Sequence, residues 1–131
     1  MRILKIFFGN KELDKTFIDG QSTFVLSSDE GERYGGIFQN IFCRLIKTIK
    51  HKGENWYLLE TDQDFTGIDF GIGTVRVNKF IIRIRRRSNF EKNKKNDVIV
   101  YLPSDINNPL SSIKSLPEMK VIDWAYIYDI K

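Results

Sequence analysis

The sequence is poor in the residues on which many functional sites depend. Its 131 residues include one cysteine, Cys43, and one histidine, His51. A single cysteine excludes an intrachain disulfide, a CxxC redox motif and a cysteine-rich metal site. A single histidine excludes a histidine-rich zinc site and a two-histidine nuclease centre. We therefore expect no metal or other cofactor, and the lack of disulfides fits a reducing compartment.

Long apolar runs are also missing. No stretch approaches the roughly 18 uncharged apolar residues that a membrane helix needs. The apolar start of the chain, residues 2–8, is interrupted by Lys5, so it predicts a strand and not a signal peptide. We expect a cytoplasmic protein that does not bind membranes.

Alanine is nearly absent, with Ala125 as the only example, whereas isoleucine, phenylalanine and tyrosine are abundant. β-branched and aromatic residues favour strands over a bundle of helices. The hydrophobic fraction of 41% and charged fraction of 29% are those of an ordinary globular chain, and its length predicts one domain over residues 1–131. Alternation and turn residues predict strands at residues 2–8, 16–18, 23–26, 56–60, 75–77, 80–86, 98–102 and 121–128.

One segment has helical spacing instead. Its apolar residues recur at intervals of one, three and four, which sweeps one broad face of a helix: Ile37, Phe38, Ile41, Phe42, Leu45, Ile46 and Ile49. Lysines collect at the end of this segment and Gly53 follows as a stop signal. The sequence thus predicts an α+β fold, in which a main amphipathic helix at about residues 36–50 packs on a largely antiparallel sheet of six to eight strands.

Positive charge is concentrated in one stretch. Residues 76–95 hold nine basic residues and one glutamate, a local net charge of +8 in a chain of net charge +4. Alternation within residues 80–87 predicts that Phe80, Ile82 and Ile84 face the core. The opposite face then carries Arg83, Arg85 and Arg87, and the charge continues through Lys92, Lys94 and Lys95. Such a stripe either binds an anionic partner or pairs with carboxylates of a neighbouring strand, such as Glu60, Asp62 or Asp64.

The opposite charge collects in residues 54–69, which hold five acidic residues and no basic one. Asp62 and Asp64 begin like a calcium-binding loop, but Gly73 occupies the position where that loop needs glutamate. An acidic loop that faces the arginines or a partner is the favoured interpretation.

No catalytic set emerges. On the predicted helix Cys43 and His51 would lie about 12 Å apart along the axis, so they form no dyad. Two groups of glycines, Gly35-Gly36 and Gly67, Gly71 and Gly73, match neither the dinucleotide-binding nor the P-loop fingerprint. They fit structural turns. We expect the protein not to be an enzyme.

Aromatic residues recur at alternate positions near the end of the chain, as Trp124, Tyr126 and Tyr128. On one strand face they are either core residues or, if exposed, anchors for a protein partner. RNA-binding sheets combine such rings with basic residues on one face. Phe80 is predicted to lie opposite Arg83, so this combination is poor in the basic strand.

In its size and its one helix beside a sheet, the chain resembles the small immunity proteins of bacterial toxin systems. The residues that carry the resemblance are Gly35-Gly36-Ile37-Phe38, Trp56-Tyr57-Leu58-Leu59 and Asp123-Trp124. It implies a protein that neutralises a cognate toxin by covering its active site or substrate surface. The alternative is a nucleic-acid-binding protein that uses residues 76–95. The expected contacts are Arg83, Arg85, Arg87, Lys92, Lys94, Lys95, Asp62 and Asp64; the oligomeric state is left open.

Overall fold

The computed structural model describes residues 18–29, 36–85 and 94–129, and these residues form a closed β-barrel. Each strand pairs antiparallel with the next in the chain, and the last pairs with the first. The strands are β1 (Thr23–Ser28), β2 (Ile41–His51), β3 (Glu54–Thr66), β4 (Arg76–Ile84), β5 (Asn96–Leu102) and β6 (Lys120–Asp129). Two 3-10 helices connect strands: η1 (Gly67–Phe70) and η2 (Pro109–Glu118).

The predicted α+β fold is wrong, because the described residues contain no α-helix and the segment predicted as the main helix holds strand β2. Ile41, Cys43 and Leu45 alternate into the barrel interior. A bulge between Leu45 and Lys47 then shifts the register, and Ile49 joins an apolar cluster on the other face. Apolar residues on both sides of a bulged strand produced the spacing of four that imitates a helix.

Gly53 lies in the hairpin turn between β2 and β3 and does not end a helix. Lys52 and Gly53 both have positive φ, 51° and 80°, and the flanking residues His51 and Glu54 are paired. A two-residue hairpin loop with positive φ at both positions is the one that suits the right-handed twist of its strands. The turn joins β2 to β3 in the longest pairing of the barrel.

Phenylalanine rings fill the barrel interior. Phe80 is fully buried, and its ring centroid lies 5.1 Å from that of Phe38 and 5.7 Å from those of Phe65 and Phe70, with the rings edge to face. Such geometry is favourable for aromatic pairs. Phe80, Ile82 and Ile84 all belong to this interior core, as alternation predicted.

A second apolar cluster lies on the outside of the barrel. It contains Ile49, Trp56, Leu58, Ile81, Tyr101, Leu116 and Met119. Leu116 belongs to η2, which therefore packs over the outer face of the sheet and buries it. Because part of β3 and β4 is covered on both faces, their sequences lack clean alternation.

The seam between β1 and β6 contains a buried carboxylate. The Ser28 hydroxyl donates a hydrogen bond to Oδ2 of Asp123 and accepts one from the Phe38 N–H at 2.8 Å. Asp123 Oδ1 accepts a hydrogen bond from the Trp124 N–H at 2.8 Å, and Asp123 is 1% exposed. Since Asp123 points inward, the next side chain, Trp124, points outward.

Most predicted strands are confirmed, with altered bounds. The runs at 23–26, 56–60, 98–102 and 121–128 fall within β1, β3, β5 and β6, while those at 75–77 and 80–86 overlap the single strand β4. The predicted strand at 2–8 and residues 16–17 of the one at 16–18 lie outside the described residues, and Ile18 belongs to no strand. Within the described ranges no helix is long and apolar enough to cross a membrane.

Candidate functional site

The basic residues of β4 form ion pairs within the protein. Arg83 donates hydrogen bonds to Oε1 of Glu54 at 3.0 Å and to the Tyr101 hydroxyl at 3.2 Å. Its guanidinium also lies over the Trp56 ring, 5.3 Å from the centroid. The predicted partner contact Arg83 therefore joins β3, β4 and β5, and it pairs with Glu54 instead of Glu60, Asp62 or Asp64.

Further pairs link the acidic and basic segments across β2, β3 and β4. Glu60 accepts a 2.6 Å hydrogen bond from Arg44 and lies 3.4 Å from the Lys79 ammonium group. The Arg44 hydrogen bond, together with Lys79, holds the pKa of Glu60 below its usual value. Asp64 lies 3.5 Å from Arg76 in an exposed pair. Pairs this exposed contribute about 0–1 kcal/mol each, so they orient side chains more than they stabilise the fold.

A different set of cations lies on the outer face of β6. The guanidinium carbon of Arg85 is 4.4 Å from the centroid of the Trp124 ring, and the Lys95 ammonium group is 4.5 Å from that of Tyr126. Tyr126 in turn stacks with Tyr128 at 6.2 Å between centroids. We call these five residues the β6 surface. Its cation–π contacts hold two long, flexible side chains in place.

The barrel decides whether the alternating aromatic residues are core or surface. Ala125 and Ile127 point inward and are buried, whereas Trp124, Tyr126 and Tyr128 point outward and remain partly exposed. Lys95, beside them, is exposed. The period-two pattern therefore marks an outer aromatic surface.

The acidic candidates lie elsewhere. Asp62 is exposed at the rim of a groove of about 370 Å³ on the outside of β1, β2 and β3. The groove also contains Phe42, which is 55% exposed. We call it the β2 groove, and its lining residues are Thr23, Phe42, Cys43, Arg44, Glu60, Thr61 and Asp62. In the closed ring β3 lies opposite β6, so Asp62 and Asp64 do not share a surface with Arg85 and Lys95.

The remaining predicted contacts divide by position. Lys94 is exposed next to Lys95, at the start of β5, whereas Arg87 and Lys92 lie outside the described residues. Asp62 and Asp64 belong to strand β3 and not to the loop from which the calcium pattern was drawn. Across the described ranges there is no group of three or more histidine, cysteine or carboxylate side chains placed to hold a metal ion.

Cys43 faces the barrel interior. It is 4% exposed, and its thiol donates a hydrogen bond to the Phe24 carbonyl at 3.5 Å. Burial, and to a smaller extent the charge of Asp62, raises the pKa of the Cys43 thiol to about 12. A thiol with so high a pKa holds almost no thiolate at neutral pH and is a poor nucleophile.

Cys43 should therefore resist alkylation while the barrel is folded. At pH 8 we expect iodoacetamide to modify the native protein at least about 100-fold more slowly than the urea-unfolded protein, because only the unfolded thiol ionises near its ordinary pKa. Mass spectrometry of quenched time points measures both rates. Equal rates in the two states would contradict the buried position of the thiol.

Comparisons of this chain with protein-family models, with curated proteins and with solved structures find no match. Sequence reasoning identified Arg85, Lys95 and the three aromatic residues separately but did not join them. Arg85 and Trp124 are far apart in the sequence, and the only available signal was that both patterns fall on outward positions of predicted strands.

Proposed function

We propose that the protein is a non-enzymatic binding module that recognises another protein through the β6 surface. The observation that carries the proposal is the pair of partly exposed rings, Trp124 and Tyr126, each with a cation held against its face. Neutralisation of a cognate bacterial toxin in the cytoplasm, by covering its active site or substrate surface, is the form of this function that the resemblance to immunity proteins implies. That resemblance keeps its size and its short sequence motifs, but the helix it assumed is strand β2.

The chemistry of the β6 surface suits protein recognition. Tryptophan, tyrosine and arginine are the residues most enriched among those that contribute most to interface affinity. Here their side chains are already ordered by mutual contacts on a closed barrel, so binding loses little conformational entropy. Positive charge from residues 76–95 would speed encounter with an acidic partner.

Nucleic acid is the second candidate, and one observation favours it. Although Phe80 points into the barrel as predicted, aromatic residues from β6 share the outer face with Arg85 and Lys95. The basic strand alone lacks a combination of rings and cations on one face. Residues from different parts of the chain form that combination beside β6. Single-stranded nucleic acids bind such surfaces by stacking bases on free ring faces.

The arrangement of the rings argues for protein over nucleic acid. Arg85 and Lys95 each lie against a ring face, and Tyr126 also stacks with Tyr128. Each of these contacts takes up a ring face on which a base could otherwise stack. In a protein interface the covered ring is no obstacle, because the ring edge and the cation make the contacts.

Co-expression with any secreted or toxin-like protein that a neighbouring gene encodes tests the proposal. We expect a stoichiometric complex on size-exclusion chromatography and restored growth of cells that express the toxin. A variant of the β6 surface, Tyr126→Ala, should lose both, whereas Phe42→Ala in the β2 groove should keep both. A complex that survives Tyr126→Ala would contradict the assigned surface, and the lack of any stable protein partner would contradict the function.

The same preparation tests the second candidate. A nucleic-acid-binding protein would shift a labelled single-stranded oligonucleotide at about 50 mM salt and lose most of its affinity by about 200 mM. We expect no such shift.

A further inference from the structure

The two cations of the β6 surface lie against rings that are neighbours on one face of β6. Trp124 and Tyr126 are two residues apart on the same face of β6, a separation of about 6.7 Å. Arg85 and Lys95 lie within 4.5 Å of the respective ring centroids. The strand thus sets the spacing of the two rings against which the cations lie.

An extended peptide has the same period. Side chains at positions i and i+2 of a strand point to one side and are also about 6.7 Å apart. We propose that the β6 surface binds an extended acidic segment whose carboxylates occupy alternate positions, one contacting Arg85 and the next contacting Lys95. This inference rests on the proposed function and names the kind of protein segment that the surface takes.

Charge complementarity supports an acidic occupant. Residues 76–95 carry a net charge of +8, and most of the paired cations of β4 lie towards β3: Arg76, Lys79 and Arg83 contact Asp64, Glu60 and Glu54. Arg85 follows the end of β4, its N–H donates a hydrogen bond to the Asp97 carbonyl of β5, and its guanidinium contacts the neutral Trp124 ring. Its guanidinium is a planar donor that matches a carboxylate.

The ring contacts explain why the two cations are suited to this task. A free lysine or arginine side chain loses considerable rotamer freedom when it forms an ion pair, and this loss weakens exposed pairs. Contact with Trp124 and Tyr126 restricts Arg85 and Lys95 before the partner arrives. The same contact leaves fewer ring faces for nucleobases, which favours a peptide over a nucleic acid with similarly spaced phosphates.

Two peptides of identical composition test the spacing. Both are blocked hexapeptides of threonine and valine with two glutamates, placed at alternate positions in one and at adjacent positions in the other. We expect the alternating peptide to bind at least about 3-fold more tightly at low salt. NMR titration of the full chain measures both affinities, with the Trp124 indole N–H as the reporter. A thymidine oligonucleotide is the third probe.

Variants assign the preference to its two cations. Arg85→Gln and Lys95→Gln should each remove the 3-fold preference, and Lys95 is exposed, so its substitution should not impair folding. Arg76→Gln is the matched control, because it removes a cation of β4 whose side chain is 80% exposed and pairs with Asp64 of β3, away from β6. The control should bind the peptides as the unchanged chain does.

The outcomes separate this inference from the proposed function. Equal affinity for the two peptides, or no binding of either, overturns the inference, and so does oligonucleotide binding that is lost in the Arg85 and Lys95 variants. If Tyr126→Ala still abolishes the complex with the partner protein in any of these cases, the proposed function remains. If no protein partner exists, the function fails whatever the peptides do.

Discussion

Replacing Phe80 with alanine should lower the free energy of unfolding by about 3–5 kcal/mol. The Phe80 ring is fully buried, and rings from three other parts of the chain, Phe38, Phe65 and Phe70, surround it at 5.1–5.7 Å between centroids. Its removal leaves a cavity that a closed barrel cannot collapse, because each strand is paired on both sides. Urea unfolding followed by tryptophan fluorescence measures the loss.

Phe42→Ala provides the matched control for this variant. Phe42 is also a phenylalanine, but it lies on β2 and is 55% exposed, whereas Phe80 is fully buried. Its loss should cost less than about 1 kcal/mol. Equal destabilisation by the two substitutions would show that the interior does not hold Phe80 as described.

Replacing Trp124 with alanine should weaken the complex with the partner protein by about 30-fold to 1000-fold, or about 2–4 kcal/mol. The substitution removes the largest partly exposed ring of the β6 surface. It also releases Arg85, whose guanidinium lies 4.4 Å from the centre of that ring. Isothermal titration calorimetry with the purified partner measures the affinity.

Two further variants separate these effects. Trp124→Phe keeps an aromatic face for Arg85 and should lose less affinity than Trp124→Ala. Trp56→Ala removes the ring beneath Arg83, but Trp56 is only 5% exposed in the outer apolar cluster. It should therefore reduce stability and leave the affinity of the folded protein nearly unchanged. A Trp124→Ala protein that binds its partner normally would contradict the assignment of the β6 surface.

The strands were the most predictable part of the fold. Alternation in β4 placed Phe80, Ile82 and Ile84 inside correctly. Alternation in β6 put Trp124, Tyr126 and Tyr128 on one face but left open whether that face is core or surface. The helix prediction was wrong because a bulge in β2 moves Ile49 to the outer face of the barrel. There Ile49 belongs to the apolar cluster that includes Leu116 of η2. Local periodicity does not record a change of face that depends on a distant segment.

The candidate site was predictable only in its residue types. The excess of arginine predicted a stripe that either faces a partner or pairs with carboxylates such as Glu60, Asp62 or Asp64. Arg83 instead pairs with Glu54 and Tyr101. Arg85, two residues later, contacts Trp124. The two arginines have different roles because Arg83 reaches Glu54 of β3 whereas Arg85 reaches Trp124 of β6, and the sequence of β4 does not contain that information.

What the sequence determined by itself follows from composition and local geometry: a strand-rich chain, no disulfide within it, and opposite charges in separate segments. The tertiary structure alone decided that the strands close into a ring, that β3 and β6 face opposite directions, and that Arg85 and Lys95 meet the rings of β6. The physical reason is register. Which side chains meet across a barrel depends on strand pairing and bulges, and these are set by the packing of the whole chain.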